Sequence, residues 1–199
     1  MDETMVTVGR VLNSTTTTFT FGYSQPDVAQ PPFGSLVWAE MGADRVYGLV
    51  YQVIVRDDAF VRQIVAAADS LTEERIQDLR QRRQVPVEVT ALAIAYRQNG
   101  QVYQRLPPAP PGALQPIYAC PPAEVRRIID RGRYDYFRTV LNNLECPGEE
   151  LVAASLRLAA ACQPAGQDQA FLLDAGRELA RLLAADLPRL DAILRRLAS

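Results

Sequence analysis

The sequence predicts an α+β protein: a small N-terminal β-barrel with an inserted helical pair, followed by a C-terminal helical bundle. Three observations lead there. Arg45 to Arg56 is a nearly unbroken strand-forming run, in which nine of twelve residues are Val, Ile, Leu, Tyr or Gly. The other apolar stretches before residue 118, apart from one internal segment, alternate with a period of two. Beyond Cys120 the apolar residues recur three and four apart, the spacing of a helix with one buried face. The boundaries drawn are a barrel domain over 1–118, with its helical insert at about 58–83, and a helical domain over 119–199.

The first strand runs from Met5 to Leu12, with Val6 and Val8 on one side and Gly9 as an interruption. Thr15 to Tyr23 sets Phe19, Phe21 and Tyr23 against Thr16, Thr18 and Thr20, an aromatic-in, threonine-out strand. Pro26, Pro31 and Pro32 mark a loop, because proline donates nothing to a ladder. Ser35 to Glu40 is a third strand, and Gly42-Ala43-Asp44 turns it into the long central one. That central run is apolar enough to be covered on both faces for part of its length, and Gly48 inside it marks a bulge, a bend or a close backbone approach.

Between Asp58 and Arg83 the period changes, and Ser70-Leu71-Thr72-Glu73 matches a capping box, so two helices are expected there. Val85 to Arg97 returns to alternation. Asn99-Gly100 then joins it to Gln101-Val102-Tyr103 as a hairpin, since a type I′ turn needs positive φ at both central residues. Leu106 to Gly112, rich in proline, is an extended connector across a barrel end, and Ile117-Tyr118 is a last short strand.

Pro121-Pro122 opens the first C-terminal helix, with Val125, Ile128 and Ile129 as its buried stripe and Gly132 as its end. Tyr134 to Leu144 and Glu149 to Cys162 follow, then a loop at Gln163 to Gly166. Gln167 to Leu197 is helical, with Leu183, Leu187, Leu190, Leu194 and Leu197 spaced 4-3-4-3. Pro188 calls for a kink or a restart, capped by Asp186.

Composition excludes more than it names. All 21 basic residues are Arg, so no lysine serves a P-loop or a Schiff base. With no His there is no Ser-His-Asp or Cys-His pair, and the commonest metal ligand is missing. Cys120, Cys146 and Cys162 match no zinc spacing and read as reduced thiols. A net charge of −2 gives no strong global pull toward nucleic acid. The acidic N-terminus lacks a leader-like apolar stretch, and no run reaches membrane-spanning length. A cytoplasmic protein without membrane partner, cofactor or metal is expected.

Acid pairs at Asp57-Asp58, Glu73-Glu74 and Glu149-Glu150 lie at expected helix starts, where the helix dipole favours negative charge, so they read as caps rather than catalytic dyads. Arg126, Arg127, Arg131 and Arg133 gather beside Tyr134, Tyr136 and Phe137, a pattern able to track a single strand. The interleaved Glu124, Asp130 and Asp135 cut that charge and leave nucleic-acid binding weak. No catalytic constellation stands out, so no hydrolysis of ATP or GTP is expected. The candidate contact residues are Trp38, in a short strand with room for an edge position, the arginines Arg126, Arg127 and Arg131, and Leu183, Leu187 and Leu190 of the leucine ladder.

Val8-Gly9-Arg10-Val11, Thr17-Thr18-Phe19-Thr20-Phe21, Phe33-Gly34-Ser35-Leu36-Val37, Arg45-Val46-Tyr47-Gly48-Leu49-Val50 and Pro110-Pro111-Gly112-Ala113 stand in a suggestive order. Together, over about residues 5–118, they resemble the HAS-barrel, the small barrel that opens HerA-type DNA-translocating ATPases and is similar to the N-terminal barrel of rotary ATP synthase subunits. The resemblance implies a barrel that touches other subunits of a ring. A helical segment stands where the ATPase domain of such proteins would follow, so motor activity is not carried over. The expected function is non-catalytic assembly or adaptor work, by self-association or with a partner ATPase of the HerA type. Small-molecule or nucleotide binding in an Arg-lined pocket and weak single-strand binding are the alternatives.

Overall fold

The computed structural model describes residues 5–23, 30–55, 72, 87–130 and 134–198. The helical insert expected at 58–83, its capping box, and the acid pairs at 57–58 and 73–74 lie outside the described residues, Thr72 excepted.

Seven strands form one antiparallel sheet: β1 Thr7–Ser14, β2 Thr18–Tyr23, β3 Leu36–Met41, β4 Asp44–Val55, β5 Val87–Gln98, β6 Gln101–Tyr103 and β7 Pro116–Ala119. Six of them, in the order β1-β2-β5-β4-β3-β7, close into a barrel, because β2 pairs with β5 and β7 pairs with both β1 and β3. β6 extends only the far end of β5. Asn99 at φ 52° and Gly100 at φ 80° make the hairpin turn as their residue types require.

The period of two sorts each strand into an inner and an outer set. Val37 and Ala39 of β3, Val46 and Val50 of β4, and Val89, Ala91 and Ala93 of β5 point into the barrel with Phe19, Phe21 and Ile117. Leu36, Trp38, Tyr47, Leu49, Leu92 and Ile94 point outward and share a second core with the helices. Both faces are therefore covered over Leu36–Ala39 of β3, Val46–Val50 of β4 and Ala91–Tyr96 of β5, as the continuous apolar run in β4 implies. Each fully buried large apolar side chain in these cores contributes about 1.5–3 kcal/mol.

Gly48 sits where β4 slips one residue against β5. A Cβ there would fall 2.7 Å from the Phe19 ring and 2.9 Å from Ala91 Cβ. The missing side chain is thus what lets Phe19 fill the barrel.

The helices are α1 Pro122–Ile128, α2 Tyr136–Leu141, α3 Gly148–Ala161, α4 Asp168–Leu182 and α5 Leu187–Ala198. α3 packs against each of the other four and against β4, so it is the centre of the helical layer. Ala153, Ala159 and Ala160 keep its buried surface flat enough for those neighbours. Glu149 and Glu150 occupy its first turn and pair with Arg189 and Arg196 of α5. Burial raises the Glu149 pKa, but the backbone hydrogen bond and Arg189 outweigh it and hold the carboxyl below its ordinary range.

Three expectations change. Trp38 is 1% exposed, and its strand lies between β4 and β7 inside a closed barrel, so it has no edge to offer. α1 stops at Ile128, ahead of Gly132, and α2 is shorter than Tyr134 to Leu144. The leucine ladder does not lie on one face. As Pro188 leads one to expect, the helix breaks after Leu182 and restarts at Leu187, with Asp186 Oδ1 accepting the Arg189 N–H at 3.2 Å as an N-cap. That break turns the stripe: Leu183 is buried, Leu190 is half-buried, and Leu187 is 65% exposed. No helix among the described residues is long and apolar enough to cross a membrane.

Candidate functional site

Three features gather where the barrel meets the helices or at its open rim. The first is a charged cluster around Glu124, on the first turn of α1 and buried. Arg45 and Arg97 face each other directly on β4 and β5. Like charges so placed repel across a ladder, and Glu124 lies between them. Arg45 Nη1 is 3.4 Å and Arg97 Nη1 3.5 Å from Glu124 Oε1, and Arg127 Nη1 is 2.9 Å from Oε2. Tyr47, one strand position pair away from Arg45, donates its hydroxyl to Oε1 as well. Burial, then the bond to Glu124 and its charge, drive the Tyr47 phenol well above its usual range, so it remains a donor.

Trp38 completes the cluster from the opposite side. The β3–β4 register sets it across from Tyr47, and its ring stacks on Tyr118 of β7 with centroids 4.3 Å apart. The Arg45 guanidinium lies 3.8 Å from the Trp38 ring centre, a cation–π contact that fixes the arginine head.

The second feature is a cleft of about 330 Å³ between β1, the loop before β3, α1 and α3. Its walls are apolar, from Val8, Pro32, Leu36, Val125, Ile129 and Leu158, with the thiols of Cys120 and Cys162 also facing it. Burial is the first cause that pushes both thiols up, so they stay protonated and are weak nucleophiles at neutral pH. Ser35 and Ser155 also line it, but their hydroxyls are already bonded to the carbonyls of Pro32 and Val152.

The third is a rim of the barrel. The connector returns along β1: Ser14 Oγ donates to the Pro111 carbonyl at 2.7 Å, and the Leu114 N–H to Val11 at 2.9 Å. Arg10 Nη1 donates to the Leu114 carbonyl at 3.0 Å. Thus held, Leu114 takes φ 63°, a conformation that bulky residues rarely adopt. Its side chain is 69% exposed, and Leu12, next to Val11 at the same rim, is 51% exposed.

The residues singled out from sequence fall in different places. Trp38 and Arg127 belong to the Glu124 cluster. Arg126 points elsewhere and donates to the Cys162 carbonyl at 2.5 Å. Arg131 lies outside the described residues. Leu183, Leu187 and Leu190 are on the helical side, away from all three features. Sequence reasoning missed Glu124, which it took only as a charge diluting its neighbours. It also missed Arg45 and Arg97. Their signal was a charge at the turn end of each of the two longest strands.

The fold and its site define a closed six-stranded antiparallel β-barrel clad on one side by helices, with a charged cluster at the junction. No protein-family model matches the chain, and no curated protein matches it.

Proposed function

We propose that this chain is a non-catalytic assembly or adaptor module that works through its barrel. The observation that carries the reading is the rim: Leu114 is held outward in an unfavourable backbone conformation beside exposed Leu12. A strained, exposed apolar residue costs about 1 kcal/mol or more and persists where the surroundings fix it, and such sites cluster where proteins bind. In this reading the chain self-associates or joins a partner ATPase of the HerA type, as the HAS-barrel resemblance implies. The C-terminal helices act as a bundle bracing the barrel.

Light scattering over a concentration series tests this. More than one chain per particle, or a partner recovered with the protein from its native source, is expected, and Leu12→Asp with Leu114→Asp abolishes either. A strict monomer at high concentration with no partner recovered, or an assembly indifferent to both substitutions, defeats the reading.

A second reading, small-molecule binding, is favoured by a separate observation, the convergence of three arginines on one carboxylate. The large cleft does not favour an Arg-lined pocket, because its walls are apolar. Nucleic-acid binding stays weak in this scheme, since Arg126 is committed to the Cys162 carbonyl and acids interleave the neighbouring arginines.

A further inference from the structure

Three guanidiniums share Glu124, so the cluster holds two more positive charges than negative ones. Among the described residues no other carboxylate comes within ion-pair range of Arg45, Arg97 or Arg127. Glu40 stands opposite Arg45 in the β3–β4 ladder, beyond ion-pair distance, and offsets part of that excess. Asp44 accepts the Gln98 amide instead, at 3.2 Å.

We propose that the cluster is a binding site for a phosphate monoester carried by a small molecule. The inference rests on the small-molecule reading and is independent of the rim. Three arguments lead to this ligand. The positive excess favours it, since a phosphate monoester carries about −1.5 to −2 at neutral pH, whereas a diester or a carboxylate carries only −1. The donors are there: each guanidinium has five N–H groups, and Glu124 takes one hydrogen bond each from Arg45 and Arg127 and an ion-pair contact from Arg97. The heads are also positioned in advance. Arg45 is fixed over Trp38, and Arg97 is ion-paired 3.5 Å from the same Oε1, so neither must lose much freedom when an oxyanion arrives.

Access is from the α1 side. The Arg45 and Arg97 side chains are 26% and 21% exposed, while Arg127 is 57% exposed and forms the open lip. A tetrahedral oxyanion reaching the two inner guanidiniums would be gripped from outside by Arg127. Glu124 stays in place beneath it and keeps the arginines converged. The ester substituent then points to solvent.

The test follows the arginine Nε–H resonances of the ¹⁵N-labelled full chain while inorganic phosphate is added, with chloride at matched ionic strength as control. Parallel arms use adenosine monophosphate, acetate and a dinucleotide phosphodiester. Saturable movement of the Arg45, Arg97 and Arg127 signals is expected with phosphate and with the monophosphate. Acetate and the diester should bind about tenfold more weakly, and Arg127→Gln should weaken phosphate by about the same factor. Arg127 is exposed, so this variant keeps the fold. Movement that never saturates or is matched by chloride overturns the site. So does phosphate binding unchanged in Arg127→Gln. Acetate or diester binding as tight as phosphate overturns the monoester assignment, and exclusion of adenosine monophosphate overturns a ligand larger than phosphate itself.

Discussion

The barrel interior and the barrel–helix seam are two ways of burying the opposite faces of the same three strands. Inside, Phe19, Phe21 and a set of valines and alanines pack with no charged group among them. Outside, Trp38, Tyr47 and Leu49 pack on the helices, but the rim of that core holds a buried carboxylate, three arginines and a phenol. The interior depends on volume and shape, which neither pH nor salt alters much. The seam adds a polar cluster whose members converge on Glu124, so removing that carboxylate leaves the arginines unpaired. The interior makes the barrel, whereas the seam fixes how the helices sit on it and leaves charge available at its edge.

The largest expected effect lies inside. Phe19→Ala empties the space beside Gly48 and should cost about 4 kcal/mol in chemical denaturation. A loss under about 1 kcal/mol would mean that the barrel core collapses around the gap, and the contrast with the seam would fail.

At the seam, Glu124→Gln leaves three guanidiniums without their shared counter-charge and should cost about 2 kcal/mol, moderated because the arginines are partly wet. Trp38 is the only tryptophan, and it lies in this cluster, so its emission reports the seam directly. The variant should shift Trp38 emission to the red before the far-ultraviolet β signal changes. Simultaneous loss of both signals would show that seam and interior are one cooperative unit.

Farther out, Asp186→Ala removes the cap that restarts the chain at α5 and should cost about 1 kcal/mol. The thermal midpoint should fall modestly while Trp38 emission in the folded state is unchanged.

The smallest effect concerns acid. Glu149 has a folded pKa below its ordinary value near 4.5, so its contribution is complete above that pH and is lost as pH falls through the lower folded value. Acid titration of stability should therefore show a loss below about pH 4.5 that Glu149→Gln flattens. An equal acid loss in both proteins would place the sensitive carboxylate elsewhere.

Much of the barrel was legible because β-structure writes its inside and outside in alternate letters. Phe19 and Phe21 read as inward residues, Gly48 as a close approach, and Asn99-Gly100 as a turn, each from its own side-chain chemistry. Closure was harder to read. That Trp38 lies between two partners depends on β7, a four-residue strand arriving after a proline-rich connector about 75 residues later in the chain. The Glu124 cluster was illegible for the same reason. Its members come from β4, β5 and α1, and only the sheet register and the docking of α1 bring them together. The restart was legible from Pro188 and Asp186, whereas the leucine spacing did not show how far the stripe turns across the break.

The late position of β7 also bears on how the chain is made. Synthesis delivers β1 and β3 long before the strand that joins them. Until residues 116–119 emerge, both strands present a row of unsatisfied amides and carbonyls to whatever is nearby. A nascent chain stalled in the proline-rich connector would thus carry two open edges at once, with most of the barrel's apolar lining already translated. The few seconds taken to finish the segment, at about 5–20 residues per second, are the period in which this protein is most exposed to pairing with its neighbours on the same message.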